Sequence, residues 1–236
     1  MSKTQAKNSS EELFGAIREN DFEQVKVLIT AQPELVNAIA PKRPLDTRGM
    51  SPLQVALCTG WHRKIAWLLL ENNADVNYIP EKKWAEEARP VLFDAANVAI
   101  WNVRRYAWDG KSTEPMKLVW KHTKDESDEA YAFLERVLKR GADVGITDYY
   151  GRNVLMEAVS EANNLCPILN RETGEYYPGR PVTPEMCDDL RRIFRLLIDS
   201  GADINNVSAY SKKSIREHYE NEPVWQICGE LFAEAK

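Results

Sequence analysis

Side chains able to do acid–base, metal or nucleophilic chemistry are sparse in this chain and lie far apart. The three histidines are His62, His122 and His218, and none has a Cys, Asp or Glu at a recognised metal-ligand spacing. The motifs GxSxG, HExxH and GxGxxG and the phosphate-binding loop do not occur. The sequence therefore predicts a protein that is not an enzyme and that holds no metal and no cofactor.

The cysteines and the longest carboxylate run favour structural roles. Four scattered cysteines without a CxxC pair are typical of free thiols in a reducing cytoplasm: Cys58, Cys166, Cys187 and Cys228. The acidic run over 125–129 lies where a helix is expected to begin, and carboxylates there stabilise the helix dipole. We interpret this run as a solvated helix start rather than a metal site.

Segment 101–124 combines basic and aromatic residues in a way that could bind a partner. It holds six Lys or Arg against two acidic residues, whereas the whole chain has a net charge of -5. Arg104, Arg105 and Trp108 are its candidate contact residues, and Trp101, Tyr106 and Trp120 are interleaved with them. This composition suits single-stranded nucleic acid, an acidic protein partner, or tryptophans that pin the segment to the rest of the fold.

A short phrase recurs after three apolar stretches and indicates how these residues are positioned. Asn73-Ala74-Asp75-Val76-Asn77 returns as 141–145 and again as 201–205, each time at the end of a stretch with helical periodicity. A repeated helix ending predicts stacked, similar helical units, hence an all-α fold. On this alignment we expect Leu68, Leu134 and Leu197 to be buried.

Segment 49–77 carries a family resemblance. It is similar to an ankyrin repeat, whose pattern runs G-x-T-P-L-H-x-A-A, then G-H, then a Leu-rich helix that ends G-A-D-V-N. Here Gln54 replaces the His, Leu57 replaces the second Ala, and Gly60-Trp61-His62 contains one extra residue. The resemblance implies a helical repeat solenoid with β-turn fingers, and it implies that His62 bonds backbone groups in the turn between the helices.

The spacing of the recurring phrase is longer than the resemblance implies. Asp75 and Asp143 are 68 residues apart and Asp143 and Asp203 are 60 apart, against about 33 for one ankyrin unit. Either each interval holds one unit with an insertion between its helices, or 80–143 hides an extra degenerate repeat, and we favour insertions. The predicted parts are a frayed tail 1–8 and a single domain over 9–236, with approximate units 9–40, 41–79, 80–146 with insertion 102–126, 147–206 with insertion 163–183, and a C-terminal cap 207–236.

Helix-start signals support this division. Ser9 and Glu12 have the spacing of a capping box, Ser51-Pro52 suits an N-cap and first helical position, and Thr183-Pro184 does the same.

The resemblance also implies that finger tips contact a partner, and it places aromatic or Arg side chains at or beside those tips: Arg48, Trp84, Tyr149, Tyr150, Arg152 and Tyr210.

Composition limits the function further. The net charge disfavours general nucleic-acid binding, and the sequence has no signal peptide and no apolar run of the length of a membrane span, which predicts a cytoplasmic protein. The expected function is non-catalytic recognition of a protein partner of unknown identity, as an inhibitor or a toxin-neutralising immunity-type protein. The alternatives are nucleic-acid binding through the basic aromatic insertion, and a host-directed effector.

Overall fold

A computed structural model describes residues 3–81, 89–111, 117–167 and 181–234, with side chains from residue 9 onward. The described chain is mainly helical, and its only sheet in these residues has two strands, which confirms the all-α class. The elements are α1 (Lys3–Arg18), α2 (Phe22–Ala31), α3 (Pro52–Cys58), α4 (Arg63–Glu71), α5 (Val91–Trp101), β1 (Arg105–Trp108), β2 (Leu118–Lys121), α6 (Lys124–Lys139), α7 (Val154–Leu165), α8 (Pro184–Asp199), α9 (Ile215–Tyr219) and α10 (Trp225–Glu234). Short 3₁₀ helices cover Pro33–Asn37 and Leu45–Thr47.

The chain divides into two compact units, which are described separately below. Unit 1 comprises Met1–Ala95 with Lys139–Asp143, and unit 2 comprises Ala96–Leu138 with Val144–Lys236. The boundaries fall inside α5 and at the end of α6. None of the helices in the described ranges combines the length and apolar character that crossing a bilayer requires.

The start of α1 differs from the sequence prediction. The helix begins at Lys3, so residues 3–8 are helical rather than a frayed tail. This segment contains neither Gly nor Pro, and nothing in it interrupts helical backbone geometry. Ser9 therefore lies inside the helix, where its hydroxyl accepts a hydrogen bond from Gln32 Nε2 at 3.1 Å instead of capping a helix start.

Unit 1 is built around α1, α2, α3 and α4. Its apolar core is fully buried and includes Phe14, Ile17, Val25, Leu53 and Ile65. Helix α3 starts as the sequence predicts: Ser51 Oγ accepts from Gln54 N and Gln54 Oε1 accepts from Ser51 N, both at 3.2 Å, with Pro52 at the first helical position. The tight turn before α4 uses positive φ values at Gly60 and Trp61.

The recurring phrase forms the same closing turn each time. Asn73, Gly141 and Gly201 all have positive φ, the backbone geometry that ends a helix in the left-handed region. At two closures, the residue after the closing Asn or Gly donates its backbone N–H to a carbonyl in the last turn of the helix. Ala74 N donates to Leu69 O at 3.1 Å, and Ala202 N donates to Leu197 O at 3.0 Å. Glycine and asparagine are favoured there because they tolerate this φ better than most residues.

Asparagine side chains join successive closures within unit 1. Asn37 Oδ1 accepts from Asp75 N at 2.8 Å, and its amide donates to Asn73 O at 3.3 Å. Asn77 repeats both bonds one closure later, since Oδ1 accepts from Asp143 N at 2.8 Å and the amide donates to Gly141 O at 3.0 Å. Closures 73–77 and 141–143 are therefore direct neighbours. The described part of 80–146 holds one helix pair, α5 and α6, with a β-hairpin between them.

Burial along the second helix of each pair also recurs, but not in the predicted register. The buried positions lie eight, seven and four residues before the closing Asn or Gly: 65, 66 and 69, then 133, 134 and 137, then 193, 194 and 197. Leu134 and Leu197 are buried as expected, whereas Leu68 is only half-buried and Leu69 takes the core position. The prediction for Leu68 was wrong because it equated leucines rather than distances from the closing turn.

Candidate partner-binding surface

Unit 2 contains a tight finger over 147–153. Thr147 and Asn153 form an isolated antiparallel bridge, and Gly151 adopts positive φ at the turn. The buried Asp148 carboxylate organises the loop, because its Oδ1 accepts from Tyr150 N at 2.8 Å and from Arg152 N at 2.9 Å. Two backbone N–H groups that donate hydrogen bonds to one carboxylate hold the tip in a single conformation.

A second finger over 207–214 lies against the first. Val207 and Ser214 form the bridge, and Ser208 Oγ accepts from the N–H groups of Tyr210 and Ser211, as Asp148 does in the first finger. Ala209 N donates to Tyr150 O at 2.8 Å. The backbones approach so closely that a Cβ on Gly151 would lie 2.7 Å from Ala209 Cβ. The two fingers therefore form one rigid surface feature.

Three tyrosines meet on these fingers, and we call them the tyrosine cluster: Tyr149, Tyr150 and Tyr210. The rings of Tyr149 and Tyr150 are 5.5 Å apart and those of Tyr150 and Tyr210 are 5.8 Å apart, both edge-to-face. Tyr149 is 58% exposed and Tyr210 is 81% exposed. Exposed aromatic rings held on a rigid support are the side chains that dominate binding energy at protein interfaces.

Arg152 contacts the tyrosine cluster through the ring of Tyr150. Its guanidinium binds Asp148 Oδ2 at 2.7 Å and the buried Glu157 Oε2 at 2.9 Å, and it lies over the Tyr150 ring at 5.3 Å from the centroid. Burial acts to lower the pKa of Arg152, but the carboxylates of Glu157 and Asp148 outweigh it and raise the pKa. The sequence placed Arg152 among the contact residues, whereas here its guanidinium is engaged within the chain and orients Tyr150.

Two predicted finger-tip residues remain, Arg48 and Trp84. Arg48 lies in unit 1, half-buried, in a turn closed by Ala40 N to Met50 O at 2.9 Å and Gly49 N to Ala40 O at 3.2 Å. The Tyr78 hydroxyl donates to Gly49 O at 2.6 Å in the same turn. Trp84 lies outside the described residues. Within unit 2, the structure brings Tyr149, Tyr150, Arg152 and Tyr210 together.

The basic aromatic segment forms a β-hairpin whose base is fastened by Arg104. Strands β1 and β2 are antiparallel, with Tyr106 opposite Trp120 and Trp108 opposite Leu118. Arg104 donates to Asp189 three times, from N and Nε to Oδ2 at 3.0 Å and from Nη2 to Oδ1 at 2.9 Å. Asp189 is 2% exposed and also accepts from Ser127 Oγ at 2.9 Å. The guanidinium of Arg104 therefore holds the hairpin to α8, and its contact with a partner stays a prediction.

The other hairpin residues keep more exposed positions. Arg105 Nη1 donates to Trp101 O at 2.8 Å and its guanidinium lies over the Trp101 ring at 5.6 Å. Trp101 Nε1 donates to Glu161 at 2.9 Å, so this tryptophan pins the hairpin base to α7. Trp108 remains exposed, together with Tyr106 and Trp120. The site prediction omitted the last two, although Tyr106 and Trp108 are two residues apart, the spacing that places side chains on one face of a strand.

The ionisable side chains of the described residues show ordinary structural perturbations. All four cysteines are described and free, and burial raises the pKa of Cys166 and of Cys228 to about 12. The bonds from Arg104 help hold the pKa of Asp189 below its usual range, although burial acts in the opposite direction. Among the described residues, no three His, Cys, Asp or Glu side chains are grouped closely enough to hold a metal ion.

The histidines predict a stability change under mildly acidic conditions. Burial lowers the pKa of His62, His122 and His218 from the ordinary 6.5. Between the folded and unfolded pKa values the unfolded chain binds more protons, so the free energy of unfolding should decrease as pH falls below about 6.5. Urea denaturation at about pH 7 and about pH 5 measures this, and a variant with all three histidines replaced by Gln should show a smaller difference. Equal differences would contradict the assignment.

Comparison with known proteins adds no family to these observations. The chain matches no protein-family model, and no curated protein matches it.

Proposed function

We propose that this chain is a non-catalytic protein-binding scaffold with an ankyrin-type repeat architecture. The observation that carries the proposal is the tyrosine cluster, three aromatic rings presented on two fingers joined by backbone hydrogen bonds. Tyrosine is enriched in interface hot spots, and a ring held in place before binding loses little conformational entropy in the complex. The cluster is therefore the surface to which we assign the partner.

The ankyrin-type architecture is supported by the recurring closing turns. Asn73, Gly141 and Gly201 share a positive φ, and asparagine amides bond successive closures of unit 1, as expected where similar helix pairs stack on one another. A solenoid of this kind offers an extended, preformed surface. We further propose that the partner is a single dedicated protein that the chain inhibits or neutralises, because the hairpin between α5 and α6 adds a specific feature to an otherwise generic scaffold.

The tyrosine cluster can be tested by a double substitution. Tyr149→Ala combined with Tyr150→Ala is expected to weaken binding to the partner by about 2 kcal/mol or more, because two hot-spot rings are lost. The fold should survive, since Asp148 and Gly151 remain to form the turn. The partner is first captured from the native host with the wild-type chain, purified, and then titrated by calorimetry against wild type and variant.

Two controls make this test specific. Val27→Ala with Ile39→Ala removes exposed apolar side chains of unit 1 and should bind like wild type. A hairpin variant with Arg105→Ala and Trp108→Ala is measured alongside. If the hairpin variant abolishes binding and the tyrosine variant binds normally, the tyrosine cluster is not the interface.

A further inference from the structure

We infer that the β-hairpin of unit 2 is a second recognition surface, which docks an extended acidic segment of a protein partner as an added strand. The inference rests on the proposed function, since it assumes that the chain acts by binding protein. It is carried by three observations on the hairpin: an exposed aromatic face, an opposite cationic face, and backbone groups directed outward from the strands.

The aromatic face consists of Tyr106, Trp108 and Trp120, which alternation places on one side of the sheet. Tyr106 and Trp120 lie directly opposite, with ring centroids 5.0 Å apart in an edge-to-face contact. These three side chains are 39%, 46% and 42% exposed. Trp101 pins the hairpin base through Glu161, so pinning explains that tryptophan but not the exposure of Tyr106, Trp108 and Trp120.

The opposite face is cationic. Arg105 and Lys121 are cross-strand partners, and like charges in directly opposite positions repel each other. Lys117 follows the same alternation at the other end of β2, where it lies opposite the acidic Asp109, and Lys111 is exposed beyond β1. The segment from 101 to 124 has six basic and two acidic residues in a chain that is otherwise strongly acidic. Acidic side chains of a ligand would relieve the repulsion between Arg105 and Lys121.

The backbone at the edge of β1 supplies the hydrogen-bonding groups that an added strand would use. Asp109 N donates to Lys117 O at 3.0 Å just beyond the strands, which marks a hydrogen-bonded pair. Because hydrogen-bonded and non-bonded pairs alternate in antiparallel sheets, Tyr106 and Trp108 direct their own N–H and C=O groups away from β2. In the described ranges the sheet ends at β1 and β2. A strand added there would present alternate side chains to the aromatic and cationic faces.

These faces specify the ligand as a segment in which acidic and apolar residues alternate. The probe is a labelled peptide in which Glu alternates with Val and Phe, titrated against the whole chain by fluorescence anisotropy. Two comparison probes are the same peptide with Lys in place of every Glu, and a single-stranded DNA oligonucleotide. The acidic peptide should bind, more weakly as salt increases, and both comparison probes should bind at least about tenfold more weakly.

Charge reversal locates the site. Lys117→Glu with Lys121→Glu should weaken binding of the acidic peptide about tenfold, because attraction is replaced by repulsion at two positions. Lys26→Glu with Lys64→Glu makes the same charge change at exposed positions of α2 and α4 and should bind like wild type. Circular dichroism verifies the fold of each variant. If the hairpin variant is unfolded, the salt dependence and the three probes still decide the question on the wild-type chain.

The outcomes separate this inference from the proposed function. Equal binding of the acidic and Lys peptides, no binding of either, or tighter binding of DNA would overturn the hairpin inference. The proposed function would then still be judged by the tyrosine variant and the captured partner. Conversely, the Tyr149→Ala and Tyr150→Ala variant should bind the acidic peptide like wild type, since its substitutions lie outside the hairpin.

Discussion

Replacing Asp189 by alanine is expected to lower the free energy of unfolding by about 3–5 kcal/mol, the range for removing one member of a buried ion pair. Asp189 is buried on α8 and accepts from the backbone and side chain of Arg104 and from Ser127. Its loss leaves the half-buried Arg104 guanidinium and the buried Ser127 hydroxyl without this acceptor. The hairpin base and α6 should loosen together, and urea denaturation followed by circular dichroism measures the loss.

The neighbouring Asp188 offers a matched control. It is exposed on the same helix, so Asp188→Ala should change the free energy of unfolding by no more than about 0.5 kcal/mol. Asp189→Asn keeps an acceptor oxygen but loses the charge, and should fall between the two. If Asp189→Ala and Asp188→Ala have the same urea midpoint, Asp189 does not fasten the hairpin.

Leu134→Ala should cost about 2–5 kcal/mol, because the deleted methyl groups come from a fully buried position and leave a cavity. Leu138 lies one turn later on α6 and is only half-buried, so Leu138→Ala removes the same atoms at roughly half the cost or less. Both variants are compared in one urea series. Equal losses would mean that α6 does not present Leu134 to the core as described here.

Several local features could be predicted from the sequence because short-range physics determines them. Ser51 with Pro52 and Thr183 with Pro184 begin helices as expected, since a capping side chain bonds an N–H only three residues away. The closing Asn or Gly of each recurring phrase was identifiable for the same reason, because few residues tolerate positive φ. Helix α1 is the exception, since its cap-like Ser9 bonds Gln32 instead.

The roles of individual site residues could not be predicted in this way. Arg104 and Arg152 have the composition of contact residues, but their partners Asp189 and Glu157 determine that they bind within the chain. Nothing near Arg104 in the sequence identifies a partner 85 positions away. The aromatic face of the hairpin was missed because composition alone does not assign side chains to faces, whereas strand pairing does.

Residue type and local spacing were enough to predict the helical class, the recurring closures and the abundance of aromatic and basic residues in segment 101–124. Packing between distant segments was needed to establish that Leu69 rather than Leu68 enters the core, that closures 73–77 and 141–143 are neighbours, and that three tyrosines meet on joined fingers. The two groups of features differ in range, because caps and turns form within a few residues, whereas burial, ion pairing and ring contacts depend on segments that folding brings together.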